Sequence, residues 1–538
     1  MKFLFVWILF LGGIISSSCI FAQRNPDTSR TFKRVEILFA EKETYIKSDS
    51  NKSYITYVGN VQMKQDNTLF FADSLILTQQ ENLVEAFGNV RINDADTIQV
   101  SAQYLKYLGK EKRAFLQKKV VLKDGKGILT TDDLEYDTQL KIGIYRKGGR
   151  VVNKKTTLVS QEGFYYGETK DVIFKKQVVF TDPEKTIRAD TLQYNTAAEM
   201  VTLLSPTIIK EGKRTIRATD GLYDLKQKKG FFNKRPFIDD STYTFTANEM
   251  AFDDSTGLSE FKGNAVYRSK DSTNGVDLVG SRIIKKNKTN SFLATQKPLL
   301  LIKQKRDSVF ITADTLFSSR LSLFQKERTV PFVRDSSFYG KPLPDSTDKM
   351  FEAFRNVRIF TDSMQAVGDS LFYSLEDSVF RLFKEPVLWA QQNQVTGDTI
   401  YLYMKDGKPE QLRVFENAAS IQFVEKDYYN QVSGNTINGY FTKGRIQVLR
   451  AKGSAETIYY AVDEEKKYAG VNQATSDVVE IWFDPEADDN TPQEVKLLFE
   501  VKGSLLPMNS TDHSVLRIRK FKWLEVKRPK SKFDILSL

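Results

Sequence analysis

Side chains that commonly carry out catalysis or bind metals are scarce in this chain of 538 residues. It contains one histidine, His513, and one cysteine, Cys19. A zinc or transition-metal site needs several such ligands at close spacing, and a nucleophilic triad needs a histidine beside a serine and an acid. The glycines of residues 123–127 also lack the spacing of a phosphate-binding loop. We therefore predict no metal site and no cofactor, and we interpret His513 as a surface residue.

Aspartates, in contrast, recur at regular distances along the chain. Asp73, Asp132 and Asp190 follow one another at nearly equal intervals, and Asp369 and Asp398 are separated by half of that interval. A pair of carboxylates can hydrolyse a glycosidic bond, but a residue that returns in every unit more often forms the structure. We predict that the chain is not an enzyme. A carbohydrate-active β-helix remains an alternative, and it would need an acid cluster that departs from the repeat.

The recurring acids belong to a repeat of about 29–30 residues. One motif, clearest at residues 187–194, is an apolar and polar alternation around Ala-Asp. It returns at residues 71–75, 102–107, 131–136, 247–252, 313–316, 368–373 and 397–401. A second motif, Gly-Asn or its variants, falls between these copies at residues 57–61, 87–90, 261–265, 354–357 and 415–418. Each unit therefore contains two extended segments joined by turns, and an aromatic content of 12% suits strands.

The alternation within one segment predicts a bent strand. Ile187 and Ala189 share one parity, whereas Leu192 and Tyr194 share the other. A flat strand would expose one of these pairs, but a bulge at Ala189 and Asp190 would bring both to one inner surface. Antiparallel stacking of such strands predicts an all-β array with two facing sheets and an apolar interior. We expect almost no helix, because no sustained 3.6-residue apolar spacing occurs before the array ends.

The inner surface is the part of this array that a ligand would contact. Its predicted lining residues are Leu75, Leu77, Val90, Ile92, Leu105, Tyr107, Val120, Leu122, Leu134, Tyr136, Leu192, Tyr194, Met250 and Phe252. They either pack on one another as a sandwich core or leave a groove between the sheets. An acyl chain in such a groove would gain roughly 0.8 kcal/mol for each buried methylene.

Charge and the N-terminal segment narrow the range of partners. The net charge of +11 indicates an acidic partner such as nucleic acid, anionic lipid or acidic polysaccharide. Lys2, the apolar residues that follow and the small residues up to Ala22 predict an export signal peptide over residues 1–22. An uncleaved anchor and lipidation of Cys19 remain open. Export argues against nucleic acid and leaves envelope lipids, glycans and proteins.

The repeat also sets the predicted domain boundaries. We predict one array over residues 35–318, an inserted loop or linker over 319–352 that contains three prolines, and a second array over 353–475. Residues 476–538 are predicted to form a capping segment and a basic tail. This tail is either solvated or a docking element for an acidic partner or membrane.

The alternating Ala-Asp-x-Leu-x-Tyr and Phe-x-Gly-Asn-Val signatures behind an export signal resemble the OstA-like (organic solvent tolerance) family over residues 35–455. This is the periplasmic domain type of LptA and of the N-terminal part of LptD. The resemblance implies a repetitive antiparallel β-jellyroll, or β-taco, whose groove carries the lipid A acyl chains of lipopolysaccharide between the membranes of Gram-negative bacteria. It implies a non-enzymatic protein of the periplasm, in some cases associated with the outer membrane. The implied partners are lipopolysaccharide and other lipopolysaccharide-transport proteins, including an outer-membrane translocon, with end-to-end association of β-strands.

Two departures from this family bear on the function. The array is much longer than that of LptA, and the residues after 455 are too few for the translocon of LptD. We therefore expect a stand-alone bridge or accessory protein. The alternative from another class is a structural or adhesion solenoid with a filled interior that works through loops such as 319–352.

Overall fold

The computed structural model describes residues 36–47, 53–65, 67–94, 98–125, 127–304, 308–327, 329, 348–463, 467–484 and 492–535. The predicted signal peptide and Cys19 lie outside these residues, so both stay predictions. Within them the chain forms 40 β-strands, one α-helix and two short 3₁₀ turns.

The strands follow one another with short connections. The first group comprises β1 (Glu36–Phe39), β2 (Lys42–Lys47), β3 (Ser53–Gln65), β4 (Thr68–Thr78), β5 (Leu83–Asp94), β6 (Ile98–Leu108), β7 (Arg113–Lys123), β8 (Ile128–Asp137), β9 (Ile142–Tyr145), β10 (Gly149–Asn153), β11 (Thr156–Ser160), β12 (Glu162–Tyr166), β13 (Asp171–Thr181) and β14 (Thr186–Asn195). The second comprises β15 (Met200–Leu203), β16 (Thr207–Glu211), β17 (Arg214–Ala218), β18 (Asp220–Asp224), β19 (Lys229–Asn233), β20 (Phe237–Asp239), β21 (Tyr243–Thr246), β22 (Glu249–Asp253), β23 (Leu258–Ser269), β24 (Val276–Lys286), β25 (Ser291–Thr295), β26 (Leu299–Ile302), β27 (Val309–Thr312) and β28 (Thr315–Ser319). After helix α1 (Leu321–Glu327) come β29 (Met350–Phe360), β30 (Met364–Ser374), β31 (Val379–Phe383), β32 (Val387–Ala390), β33 (Asn393–Thr396), β34 (Thr399–Lys405), β35 (Lys408–Glu425), β36 (Tyr428–Thr442), β37 (Arg445–Val462), β38 (Tyr468–Phe483), β39 (Pro492–Leu498) and β40 (Lys502–Leu506). The 3₁₀ turns span Met508–Ser510 and Glu525–Lys527.

These strands form one antiparallel sheet that is folded lengthwise into two facing halves. In β14, residues 192–195 pair with β15, whereas residues 186–189 pair with β16. We call the side that contains residues 192–195 half-sheet A and the side that contains residues 186–189 half-sheet B. The all-β, repetitive antiparallel prediction is therefore confirmed.

The corner between the half-sheets is formed by two successive residues in the left-handed region. In β13, Lys176 and Gln177 have φ angles of 62° and 56° and lie opposite Asp190 of β14, where the register shifts. Ile187 and Leu192 on the two sides of Asp190 are both buried. The same left-handed pair recurs at residues 59–60, 88–89, 118–119, 263–264, 355–356 and 416–417. The corner thus brings apolar residues of opposite parity to one interior.

We expected the bend at Ala189 and Asp190 themselves, and this location was wrong in detail. Neither residue has a positive φ, and the left-handed residues belong to the Gly-Asn segment of the neighbouring strand. Glycine and asparagine tolerate this conformation best, whereas an acid opposite them can accept hydrogen bonds.

The recurring acids therefore act at the corners. The Nδ2 atom of Asn89 donates to both carboxylate oxygens of Asp73, at 3.3 and 3.0 Å. Asn417 donates in the same way to Asp398, at 3.2 and 3.1 Å. This geometry supports the structural interpretation of the repeated aspartates.

Strand pairing continues across the predicted linker of residues 319–352. Strands β27 and β28 both pair with β29, so the sheet is continuous on the two sides of it. The described part of this segment includes α1, whose Phe324 packs with Met350 and Phe372. The carboxylate of Asp348 accepts hydrogen bonds from the backbone N–H and the hydroxyl of Ser322, at 2.7 and 2.6 Å. Residues 328 and 330–347 lie outside the described residues.

The array ends where one long strand pairs with two short ones. Strand β38 pairs with β39 through residues 478–483 and with β40 through residues 471–475. The chain then turns back, and residues 511–535 lie across earlier strands; we call them the C-terminal strap.

The corner geometry predicts that Gly88→Val destabilises strands β4 and β5. Gly88 has a φ of +70°, and a Cβ atom there would lie 2.2 Å from a carboxylate oxygen of Asp73. We expect a loss of about 2–4 kcal/mol, measured as faster amide hydrogen exchange in these two strands.

Gly148→Val is the matched control. Gly148 also has a positive φ, +93°, but nothing lies within 4 Å of an added Cβ atom. Its cost should be limited to about 1–2 kcal/mol of backbone strain. Equal losses in the two variants would contradict the role assigned to the Asp73 contact.

Candidate functional site

The residues predicted to line the interior all point into it. They are buried, except that Leu77, Ile92, Tyr107 and Tyr136 are half-buried against the same hydrophobic clusters. These clusters also contain large fully buried side chains such as Phe174. In this half of the array the interior is filled with side chains, and contact of the predicted lining residues with a ligand stays a prediction.

Strand register aligns several of these residues in a single row on half-sheet A. Directly opposed pairs connect, strand by strand, Leu77, Val84, Tyr107, Ala114, Tyr136, Gly143, Tyr165, Val172, Tyr194, Val201, Tyr223, Gly230 and Phe252. The same register continues through Lys285, Phe292, Ser318, Phe351, Tyr373, Phe380, Leu402, Leu412, Gly439, Leu449 and Ile481 to Val495. We call this set the inner row.

Tyrosines of the inner row close the interior over part of its length. The hydroxyl of Tyr165 donates to Asp124 at 3.2 Å, and Asn153 donates to the hydroxyl of Tyr194 at 3.1 Å. Asp124 and Asn153 lie at turns of half-sheet B, so these bonds connect the two halves. Burial raises the pKa of Tyr194 to about 12, so its hydroxyl is neutral at physiological pH.

The closing contacts continue to a buried charged cluster. The ammonium of Lys185, with a side chain 4% exposed, donates to the Tyr223 hydroxyl and lies 3.8 Å from the carboxylate of Asp254. Burial, and then the hydrogen bond to Asp254, raise the pKa of Tyr223. Further along, burial and then the charge of Arg214 lower the pKa of Lys285.

Beyond Lys285 the interior is hollow. One cavity of 530 Å³ has a lining that extends from Tyr267 to Pro409, and a second of 390 Å³ has a lining that extends from Asp362 to Val495 and also includes Arg528. Ser363, Met364, Leu388, Leu402 and Pro409 line both, so the cavities adjoin. A void near Leu75 and Leu105 measures only 10 Å³.

The cavity walls are largely apolar and come from both half-sheets. Inner-row residues that line them are Phe292, Ser318, Phe351, Tyr373, Phe380, Leu402, Leu412, Leu449, Ile481 and Val495. None of the lining residues singled out from sequence borders either of these two large cavities. The sequence signal that accompanies this region is a lower tyrosine content of the row, which has five tyrosines before Lys285 and only Tyr373 among the described residues after it.

Little other chemistry surrounds these cavities. No group of three or more histidine, cysteine, aspartate or glutamate residues is placed to hold a metal ion within the described ranges. The imidazole of His513 lies 3.2 Å from the Tyr460 hydroxyl and 3.0 Å from the Met508 carbonyl oxygen. Among the residues that the structure describes, no helix is both long and apolar enough to cross a membrane.

The contact between Tyr194 and Asn153 predicts an energetic coupling across the two half-sheets. Tyr194→Phe would leave the buried Asn153 amide without this partner, at a cost of about 1–3 kcal/mol. A double-mutant cycle combines Tyr194→Phe with Asn153→Ala and measures stability by amide hydrogen exchange in β10, β11 and β14. It should yield a coupling free energy of about 1 kcal/mol between the two side chains.

Tyr166→Phe removes a hydroxyl from a half-buried tyrosine on β12 and serves as the control. A coupling near zero for Tyr194 and Asn153, or equal losses for Tyr194→Phe and Tyr166→Phe, would rule out a closing role for the Tyr194 hydroxyl.

Comparison with known proteins yields one family match. Residues 33–190 match the family model of OstA-like proteins. A solved structure that matches is the crystal structure of LptH, the LptA homologous periplasmic component of the conserved lipopolysaccharide transport device from Pseudomonas aeruginosa. The match covers 19% of this chain and 79% of the LptH chain, with 18% sequence identity and a TM-score of 0.18. No curated protein matches the chain significantly. Residues 33–190 of this chain are accordingly an OstA-like domain.

Proposed function

We propose that this chain is a periplasmic lipopolysaccharide-binding transport or bridge protein for outer-membrane assembly. The observation that carries the proposal is the pair of adjoining apolar cavities between two half-sheets of an array that begins with an OstA-like domain. The chain carries the lipid A acyl chains in this interior and leaves the sugars in water. It performs no chemistry on them.

Cavity size and lining suit an acyl chain. Volumes of 530 and 390 Å³ fall in the range of roughly 300–1,000 Å³ that is typical of small-molecule sites. A chain between the half-sheets gains roughly 0.8 kcal/mol for each methylene removed from water. Because apolar contacts have no direction, a row of them lets a chain slide, which suits transport better than one tight pocket would.

The filled half of the array needs a different account. For the lining residues first singled out, such as Leu192 and Tyr194, to contact lipid, the half-sheets must separate and the Tyr165 and Tyr194 bonds must break. We infer that lipid reaches this half only when the closing contacts open.

Both ends of the sheet suit end-to-end association with other transport proteins, among them an outer-membrane translocon. Among described residues, β1 and β2 pair only with β3, and β39 and β40 pair only with β38. Tyr45 on β2 and Leu505 on β40 are 59% and 66% exposed. Unpaired strand edges of this kind accept further strands.

A structural or adhesion solenoid of the cell envelope is the second candidate, favoured by the filled interior between residues 75 and 252. It requires no lipid in the hollow half, so occupancy of the two cavities separates the candidates.

Site-specific photocrosslinking in cells that make lipopolysaccharide tests the proposal. Benzoylphenylalanine at Leu388 or Leu402, which line both cavities, should yield lipopolysaccharide adducts because lipid chains lie within reach. Position 192 reports whether lipid also enters the filled half. Val159, 44% exposed, serves as the negative control. Absence of adducts at 388 and 402 would favour the solenoid.

Filling the cavity gives a second test. Ser318→Tyr places a tyrosine back in the inner row, inside the 530 Å³ cavity, without burying a charge. We expect copurifying lipopolysaccharide to fall several-fold with the strand signal in circular dichroism unchanged, because the ring occupies space the acyl chain needs.

Ser272→Tyr adds the same ring at an exposed turn and should leave bound lipid unchanged. Equal lipid content in the two variants would show that the space beside Ser318 is not used by the ligand.

A further inference from the structure

The C-terminal strap is fixed to the outer face of half-sheet B by three glutamines. The side-chain amide of Gln431 donates to the Leu516 carbonyl oxygen and accepts from the Ile518 N–H, both at 3.0 Å. The amide of Gln394 binds Lys522 and Leu524 in the same two-point way, at 2.6 and 2.7 Å.

The third glutamine lies near the far end of the strap. The Oε1 atom of Gln365 accepts from the Nε of Arg528 at 2.8 Å. Gln365, Gln394 and Gln431 are 6%, 0% and 3% exposed, and strand register places them in one row with Trp389 and Ile421. Polar groups this buried keep their bonds, so the strap is held in position.

Beyond the contact of Leu524 with Gln394 the strap forms two tight turns. The first is the 3₁₀ turn Glu525–Lys527. In the second, the carboxylate of Asp534 accepts from the N–H groups of Lys530 and Ser531, at 2.7 and 3.0 Å. Pro529 and Ile535 are buried between and after these turns. We call residues 525–534 the hook.

The tips of the hook carry large apolar side chains in water. Val526 is 100% exposed and Phe533 is 67% exposed, although the buried Gln394 and Gln365 hold Leu524 and Arg528 on the two sides of the first turn. A turn that is fixed in place and exposes two apolar side chains is suited to contact an apolar or interfacial phase.

Positive charge surrounds these apolar tips. Lys527, Lys530 and Lys532 are exposed. Lys530 pairs with Glu525, whereas no ion-pair contact within 4.0 Å occurs for Lys527 or Lys532 in the described part of the chain. The Nζ of Lys532 lies 5.4 Å from the ring centre of Phe533, so charge and apolar surface are adjacent.

We propose that the hook docks onto the surface of an anionic lipid bilayer. Val526 and Phe533 insert at the boundary between head groups and acyl chains, while Lys527, Lys530 and Lys532 contact lipid phosphates. An acidic protein or glycan would engage the lysines but would leave the two apolar side chains in water, so the combination favours a membrane. This inference is independent of what the cavities hold.

Vesicle sedimentation with the chain after signal-peptide removal tests the hook. The wild-type chain should bind vesicles of phosphatidylglycerol and phosphatidylcholine and show little binding to phosphatidylcholine alone. Replacing Lys527, Lys530 and Lys532 with Gln should weaken binding to anionic vesicles by roughly a hundredfold at low salt. Each lysine near an anionic surface strengthens binding roughly fivefold, and three are removed. Replacing Val526 and Phe533 with Ser should weaken it at least tenfold.

The matched control replaces Lys155, Lys213 and Lys226, three exposed lysines far from the hook in sequence, with Gln. It changes the net charge equally and should retain wild-type binding. Equal loss in the control, or full binding after the Val526 and Phe533 replacements, would overturn the proposal and indicate non-specific charge attraction. Wild-type binding to soluble polyglutamate that matches binding to anionic vesicles would likewise overturn it in favour of an acidic polymer.

Discussion

The structure depends on the left-handed pair at each corner of the folded sheet. Where a strand places two residues opposite one acid of the neighbouring strand, its own apolar residues stay on the inner face. In the neighbouring strand, odd-numbered and even-numbered residues exchange the inner and outer faces at the acid. Asp190 faces Lys176 and Gln177 in this way, and Asp73 lies between two such pairs. Without the corner, each strand would bury only half of its apolar residues, and a single flat sheet would have no interior.

Repeating this corner produces one inner surface whose character changes along the chain. From Leu77 to Phe252 the inner row contains five tyrosines, and the hydroxyls of Tyr165 and Tyr194 bind turns of the opposite half-sheet. From Lys285 onward the row includes Ser318 and Gly439, and two adjoining cavities occupy the space. A fixed backbone repeat therefore supports both a packed core and a hollow core.

The outer face of the hollow half is also distinctive, because the strap covers part of it. Gln365, Trp389, Gln394 and Ile421 beneath the strap line neither cavity and are nevertheless buried. The strap crosses strands from β30 to β37, so it braces the same strands that form the cavity walls. Its contacts join segments that are far apart along the chain, such as those of Gln431 and Ile518.

Local sequence was sufficient for the fold class, the repeat length and the burial of residues such as Leu192 and Tyr194, because alternation and spacing are properties of neighbouring residues. It also indicated that both parities face one interior, although it assigned the bend to the wrong segment. The cavities, the glutamine contacts and the position of the strap were not predictable in this way. They depend on register between strands and on contacts between distant segments of the chain, which only the tertiary structure decides. Ser318 is an ordinary small residue until pairing places it beside Phe292 and Phe351, and the C-terminal basic segment resembles a solvated tail until Gln394 and Gln431 bind its backbone.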